Sequence, residues 1–326
     1  MKAGKPSEAV LSRSVLKQLK KDPNAPVSRM KQLDYGSFTI NDMQVLMSSQ
    51  AVGYPAITPG RFAVYSALNN IVCGGAVPSA VSLTILFPTE APEQELRALI
   101  KEADEACHEN GIAIVGGHTE IVSGIREPMI VACAAGTVER AAMVVSSAVQ
   151  PGMDLVVSKH IGLGGTAILA HLQEARLLER YSAPFLDRAK AFEQEISIRR
   201  EAQIAATCHV AAMHDVSLGG IYGALWELAD RNHVGLTIDL KAIPIRQETV
   251  EISEYLNVNP YKLFGAGSLL MATESAEPLM EALAAAGIEA TVIGHTTDSN
   301  DRILVTGEEQ RFLEMTQSDE LYKFRR

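Results

Sequence analysis

Met213-His214-Asp215-Val216-Ser217-Leu218-Gly219-Gly220-Ile221, continued by Tyr222-Gly223-Ala224-Leu225-Trp226-Glu227-Leu228-Ala229, is the stretch on which the fold turns. It reads as a polar turn, a glycine pair and an amphipathic helix, because Ile221, Leu225, Leu228 and Ala229 recur at helical spacing. Asp215 and Ser217 stand where helix-capping residues belong. A glycine-led helix start leaves its first N–H groups uncovered, and those donors together with the helix dipole attract anions. A plain tight turn before a core helix is the structural alternative, and the stretch alone suits both.

Similar glycine-centred segments recur at Gly116-Gly117-His118-Thr119-Glu120, Gly162-Leu163-Gly164-Gly165-Thr166 and Gly265-Ala266-Gly267-Ser268. Each is expected as a turn beside a strand end, where backbone amides can approach an anionic ligand. None has the Gly-Lys-Ser/Thr ending of a Walker loop, and the Rossmann spacing is absent.

The 326 residues suit two domains, each able to bury its own core, with the boundary at Ala148-Val149-Gln150-Pro151-Gly152. Residues 1–150 and 151–326 are the expected units. A composition of 47% hydrophobic and 21% charged residues is that of a globular chain. The net charge of −10 gives no basic surplus for phosphate neutralisation, so general nucleic-acid binding is not expected. The four cysteines form no Cys-x-x-Cys pair and are expected as buried, reduced thiols. No stretch has the length and apolarity of a membrane span or the pattern of a secretory signal, so a cytoplasmic location is expected.

Helices are expected at residues 1–21, 61–73, 92–110, 166–174, 185–207 and 278–286. Strands are expected at 44–48, 82–87, 112–115, 129–138, 155–158, 235–240, 269–272, 291–294 and 303–305. Interleaved helices and strands in both halves give an α/β or α+β class.

In combination the glycine segments resemble the superfamily of aminoimidazole ribonucleotide (AIR) synthase, selenophosphate synthetase, thiamine-monophosphate kinase and the HypE-type hydrogenase-maturation factors. The HypE-type branch is the most similar. The resemblance rests on Gly4-Lys5-Pro6, Gly60-Arg61-Phe62-Ala63-Val64 with Asn69-Asn70, and Ile114 through Glu120. It continues in Pro151-Gly152 with Lys159, Gly165 through Leu169, Met213 through Ala229, Asn259-Pro260 through Ala272, and Ile288 through Gly294.

The resemblance implies a two-domain AIR-synthase-like fold. Its N-terminal domain would close a β-barrel in a homodimer, and its C-terminal domain would be αβα. It also implies ATP with Mg²⁺, phosphoryl-transfer or dehydration chemistry, and a maturation-type protein partner. Gly116, Gly117, Thr119, Gly164, Gly165, Thr166, Gly219 and Gly220 would line the phosphates of ATP or another phosphorylated small molecule. His118 and Asp215 would be the catalytic polar groups.

On the metal side the sequence departs from the family. Magnesium needs hard, mostly carboxylate oxygens. Asp34 lies near one family position, Gln50 stands where an acid is expected, and the usual Asn-Asp pair is Asn69-Asn70. Neutral amides supply no charge against a dication, so Mg·ATP binding is expected to be weak. The C-terminal cysteine of the maturation factors is also missing: the chain ends Tyr322-Lys323-Phe324-Arg325-Arg326, expected as a frayed tail. Two functional readings stay open, an ATP-dependent enzyme with an eroded metal site and a catalytically silent paralogue serving as a ligand-binding or partner subunit.

Overall fold

A computed structural model describes residues 6, 8–19, 35–144, 146 and 148–324. Asp34 lies outside the described residues, so its place in the metal set stays a matter of sequence. The elements are α1 (Glu8–Ser14), β1 (Gly36–Ile40), β2 (Met43–Ala51), α2 (Pro59–Val72), β3 (Val77–Pro88), α3 (Glu93–Glu109), β4 (Ala113–Val122) and β5 (Met129–Glu139). They continue as β6 (Asp154–Ser158), α4 (Leu163–Leu172), α5 (Glu174–Leu177), α6 (Ala183–Ala191), α7 (Arg199–Thr207), β7 (Ala212–Asp215) and α8 (Gly220–Asn232). The last are β8 (Gly235–Asp239), α9 (Gln247–Leu256), β9 (Leu269–Thr273), α10 (Ala276–Ala285), β10 (Ala290–Thr297), β11 (Arg302–Thr306) and β12 (Glu309–Phe312). The mixed α/β class is as the sequence implies. The described residues divide into two compact units, one within 35–143 and one within 144–324, and those among the first nineteen group with the latter.

The first unit is built on a five-stranded sheet in the order β1-β2-β5-β3-β4, antiparallel except for the β3–β4 pair. Helix α2 is buried along nearly its whole length, including its polar Arg61, Asn69 and Asn70. It packs on β2 and β5, with Ile71 beside Gly136 of β5, and α3 lies against it. Close approach of the helices needs Gly60, because a Cβ there would stand 2.2 Å from the Leu99 carbonyl oxygen. Glu109 of α3 ties the pair by accepting from Arg61 Nη1 at 2.8 Å and from the Tyr65 hydroxyl at 2.5 Å.

The second unit holds a seven-stranded sheet in the order β12-β11-β8-β10-β6-β9-β7. Its core is aliphatic, with Leu155, Val157, Ile161, Leu225, Leu236 and Leu270 among its buried members. That is what a chain poor in aromatic residues must use.

Four local expectations change. Residues 116–120 are not a turn but the middle of β4, one strand continuous from Ala113 to Val122. Met213–Asp215 is strand β7 rather than part of a turn, so the polar turn shrinks to residues 216–219. The single helix expected at 185–207 breaks between Phe192 and Ile198, where Ile196 and Ile198 are fully buried. The break is held by Lys159, whose Nζ donates to the Glu195 and Ser197 carbonyls at 2.9 and 2.7 Å and pairs with Glu201 at 2.7 Å. The C-terminal segment is not frayed as far as it is described: Leu321 is fully buried, and residues 320–324 form a 3-10 turn.

Candidate functional site

Three of the four glycine segments meet in the second unit. Gly164 and Gly165 open α4, Gly219 and Gly220 precede and open α8, and the loop 259–268 runs against both starts. Absence of side chains is what allows this approach. A Cβ on Gly220 would lie 2.5 Å from the Tyr261 carbonyl oxygen, and one on Gly265 would lie 2.2 Å from that of Val216. Gly219 and Gly220 also hold left-handed φ values of 92° and 62°, which other residues adopt only at a cost.

The backbone donors here already have partners. Gly164 N–H donates to the Gly265 carbonyl at 3.0 Å and Gly165 N–H to that of Phe264 at 2.9 Å. Thr166 is fully buried; its hydroxyl donates to the Gly162 carbonyl at 2.7 Å and accepts from the Thr249 hydroxyl at 2.9 Å. Gly220 N–H donates to the Ser217 carbonyl at 3.1 Å. Gly219 N–H donates to a carboxylate, Asp319 Oδ2, at 2.6 Å. A carboxyl group of the chain itself therefore occupies the backbone donor at the start of α8.

Sequence reasoning missed Asp319, and nothing short-range points to it, since it lies a hundred residues beyond its partner. Its Oδ1 accepts from Leu321 N–H at 2.9 Å. Burial pushes its carboxyl up to about 7, against the opposing pull of the Leu321, Gly219 and Phe264 backbone donors. Next to it, Glu320 Oε2 accepts from Asn259 N–H at 3.0 Å.

His214 and Asp215 end β7 and are both buried. His214 Nδ1 bonds the Asp215 carbonyl at 2.8 Å and its Nε2 meets Glu227 Oε2 of α8 at 3.1 Å. Burial alone would lower the His214 pKa, but the hydrogen bond and charge of Glu227 outweigh it and the pKa is raised. The His214–Glu227 contact thus ties strand to helix.

In the first unit, Asn69 and Asn70 sit buried near the end of α2. Asn70 Nδ2 donates to Ser48 Oγ of β2 at 2.9 Å, so the helix and strand segments of the expected metal side do meet. Among the described residues no group of three or more His, Cys, Asp or Glu is arranged to hold a metal ion. Gly116, Gly117, His118 and Thr119 lie on the exposed edge strand β4, where His118 Nε2 stands 3.4 Å from Glu120 Oε2. Gly117 is required by the ladder itself, because a Cβ would fall 2.2 Å from the Leu83 carbonyl oxygen. No described helix is long and apolar enough to cross a membrane.

Comparison with known proteins extends the geometry. A hydrogenase expression/formation protein of Methanocaldococcus jannaschii is 28% identical over 281 residues, covering 83% of this chain and 82% of that one. The carbamoyl dehydratase HypE of Rhizobium leguminosarum bv. viciae is 26% identical, covering 80% of this chain and 76% of its own. Among solved structures, a HypE–HypF complex matches with a TM-score of 0.77 at 19% identity, covering 94% of this chain and 99% of that one. HypE in complex with ATP matches at 0.73 and 19% identity, covering 98% and 97%. At such identity these two show the fold alone. The family model for the AIR synthase related protein N-terminal domain matches residues 34–138, and that for the C-terminal domain matches 150–306. On these two matches, which take in most of its length, the chain belongs to the AIR synthase related proteins.

Proposed function

We propose that this chain is a HypE-like nucleotide-binding protein acting in hydrogenase or related protein maturation, or in activation of a small molecule. ATP, or another phosphorylated small molecule, is its ligand. The observation that carries this reading is the convergence of three glycine segments around the loop 259–268, in a fold shared with a HypE that binds ATP. Gly164, Gly165, Thr166, Gly219 and Gly220 are the phosphate-side residues of the C-terminal unit, and Gly116, Gly117 and Thr119 are the ligand-binding candidates of the N-terminal unit. His118 and Asp215 are the polar contacts.

Magnesium bound with ATP would neutralise phosphate charge. The residues available at Gln50, Asn69 and Asn70 are amides, and Asn70 is engaged with Ser48, so they fit a dication poorly. Turnover is accordingly slow and weakly magnesium-dependent. A second reading, a silent paralogue that binds ligand or a HypF-like partner without turnover, is favoured by the same amides.

A homodimer in the cytoplasm completes the proposal. Edge strand β4 exposes Val115 and Ile121, at 70% and 58%, which an isolated subunit would leave in water.

Calorimetry with ATP and ADP, each with and without Mg²⁺, tests the reading. Binding with little magnesium effect is expected. A fast, strictly Mg²⁺-dependent ATPase overturns the eroded metal site, and no heat with either nucleotide overturns nucleotide binding.

A further inference from the structure

The segment after β12 crosses the joint between α8 and the loop 259–268. Leu313 is buried at one end, and Asp319, Glu320 and Leu321 are buried at the other. Between them Glu314, Met315 and Gln317 face solvent. The polar anchors all fall on this joint: Asp319 on Gly219 N–H, Glu320 on Asn259 N–H, and Glu320 N–H on the Lys262 carbonyl at 3.5 Å. Lys262 Nζ pairs with Glu314 at 3.3 Å. Thr316 closes over Gly219 itself, its methyl carbon 3.3 Å from where a Cβ there would stand.

A short irregular segment at the surface of its unit, with Glu314, Met315, Gln317 and Lys323 exposed, belongs to the class of elements that open without global unfolding. Its pin is a carboxyl group placed on an amide at a helix start. We propose that residues 313–324 form a self-inhibiting strap, in which Asp319 occupies the backbone donor that a phosphate of the nucleotide would use, so that strap and nucleotide exclude each other. The inhibitory role rests on the nucleotide reading above; the strap's attachment does not. No covalent step is involved: the strap lifts, Gly219 N–H changes partner, and Asp319 returns to water.

The test combines ATP calorimetry with hydrogen exchange on the full-length chain, wild type against Asp319→Ala. If the alanine variant folds poorly, hydrogen exchange of the wild type with and without ATP carries the test alone. Removing the pin raises the ligand-competent fraction, so ATP should bind the variant about ten-fold more tightly. Saturating ATP should strip protection from amides 313–324 of the wild type while β6 stays protected. Equal affinity in both proteins, or a strap still protected under saturating ATP, overturns the strap and leaves nucleotide binding standing. No heat from either protein overturns nucleotide binding, and the inhibitory role with it.

Discussion

Asp319 Oδ2 accepts a hydrogen bond from Gly219 N–H at 2.6 Å, joining the C-terminal segment to the start of the helix around which the C-terminal glycine segments gather. Asp319→Ala should lower stability by about 1–3 kcal/mol, because a buried donor loses its partner. A thermal melt within error of wild type would show that the contact contributes nothing.

The same carboxyl makes attachment of the segment pH-dependent. Its pKa rises from an ordinary 3.8 in the free segment to about 7 when seated. The seated form therefore takes up a proton, so its advantage is complete below the free value and fades as pH climbs towards 7, with no further loss above. Other charges nearby are Glu314, Glu320 and Lys323 of the segment and Lys262 of the facing loop, while the first turn of α8 brings no charged residue. Between pH values of about 5.5 and 8.5, protection factors in 313–324 should fall by roughly 30-fold. Asp319→Asn should remove that slope; a slope preserved in the variant would assign it to another group.

His214 offers a second titration, one spectroscopy can follow. Its raised pKa means that its contribution is present below the ordinary histidine value near 6.5 and is lost as pH rises through the folded value. Glu227→Gln should lower the imidazole pKa in an NMR titration and destabilise the fold by about 3 kcal/mol. An unmoved titration curve would mean that Glu227 does not hold the proton there.

Gly116 and Gly117 separate a ladder position from a generic loop glycine. A Cβ at Gly116 meets nothing within 4 Å, whereas one at Gly117 collides with the Leu83 backbone. Gly116→Ala should stay within about 0.5 kcal/mol of wild type. Gly117→Ala should cost at least about 2 kcal/mol, the penalty of forcing apart a packed ladder. Equal denaturation midpoints would contradict the strand pairing.

Lys159→Met should cost about 3–5 kcal/mol, because it leaves the buried Glu201 carboxylate without its cation and two carbonyls without a donor. Chemical denaturation measures it, and a loss under 1 kcal/mol would place the stability of the α6–α7 break elsewhere.

Much of this fold could be read from the chain. Helix α3 announces itself by the spacing of Leu99, Ala103 and Cys107, and the α8 helix by that of Ile221, Leu225 and Leu228, because one-sided burial leaves a period in the sequence. Gly116-Gly117 misled for a physical reason: glycine pairs usually mark turns, but here the missing Cβ serves a close approach across a parallel ladder. The break at Ile196–Ile198 was hidden because its carbonyls are answered by Lys159, a residue outside any local window. Asp319 was hidden in the same way. Contacts of this kind depend on which distant segments fold together, and no short stretch of sequence records that.

The parallel pairing of β3 with β4 also has a bearing on how the chain assembles. Two parallel neighbours cannot be joined by a hairpin, and here α3 makes the crossover between them. Residues paired across it, such as Val81 with Ile114, must wait for that long connection to close, which makes the outermost rung a late event in folding. Until then Val115 and Ile121 belong to an unfinished border, the part of a nascent chain most open to adhesion by its neighbours during synthesis.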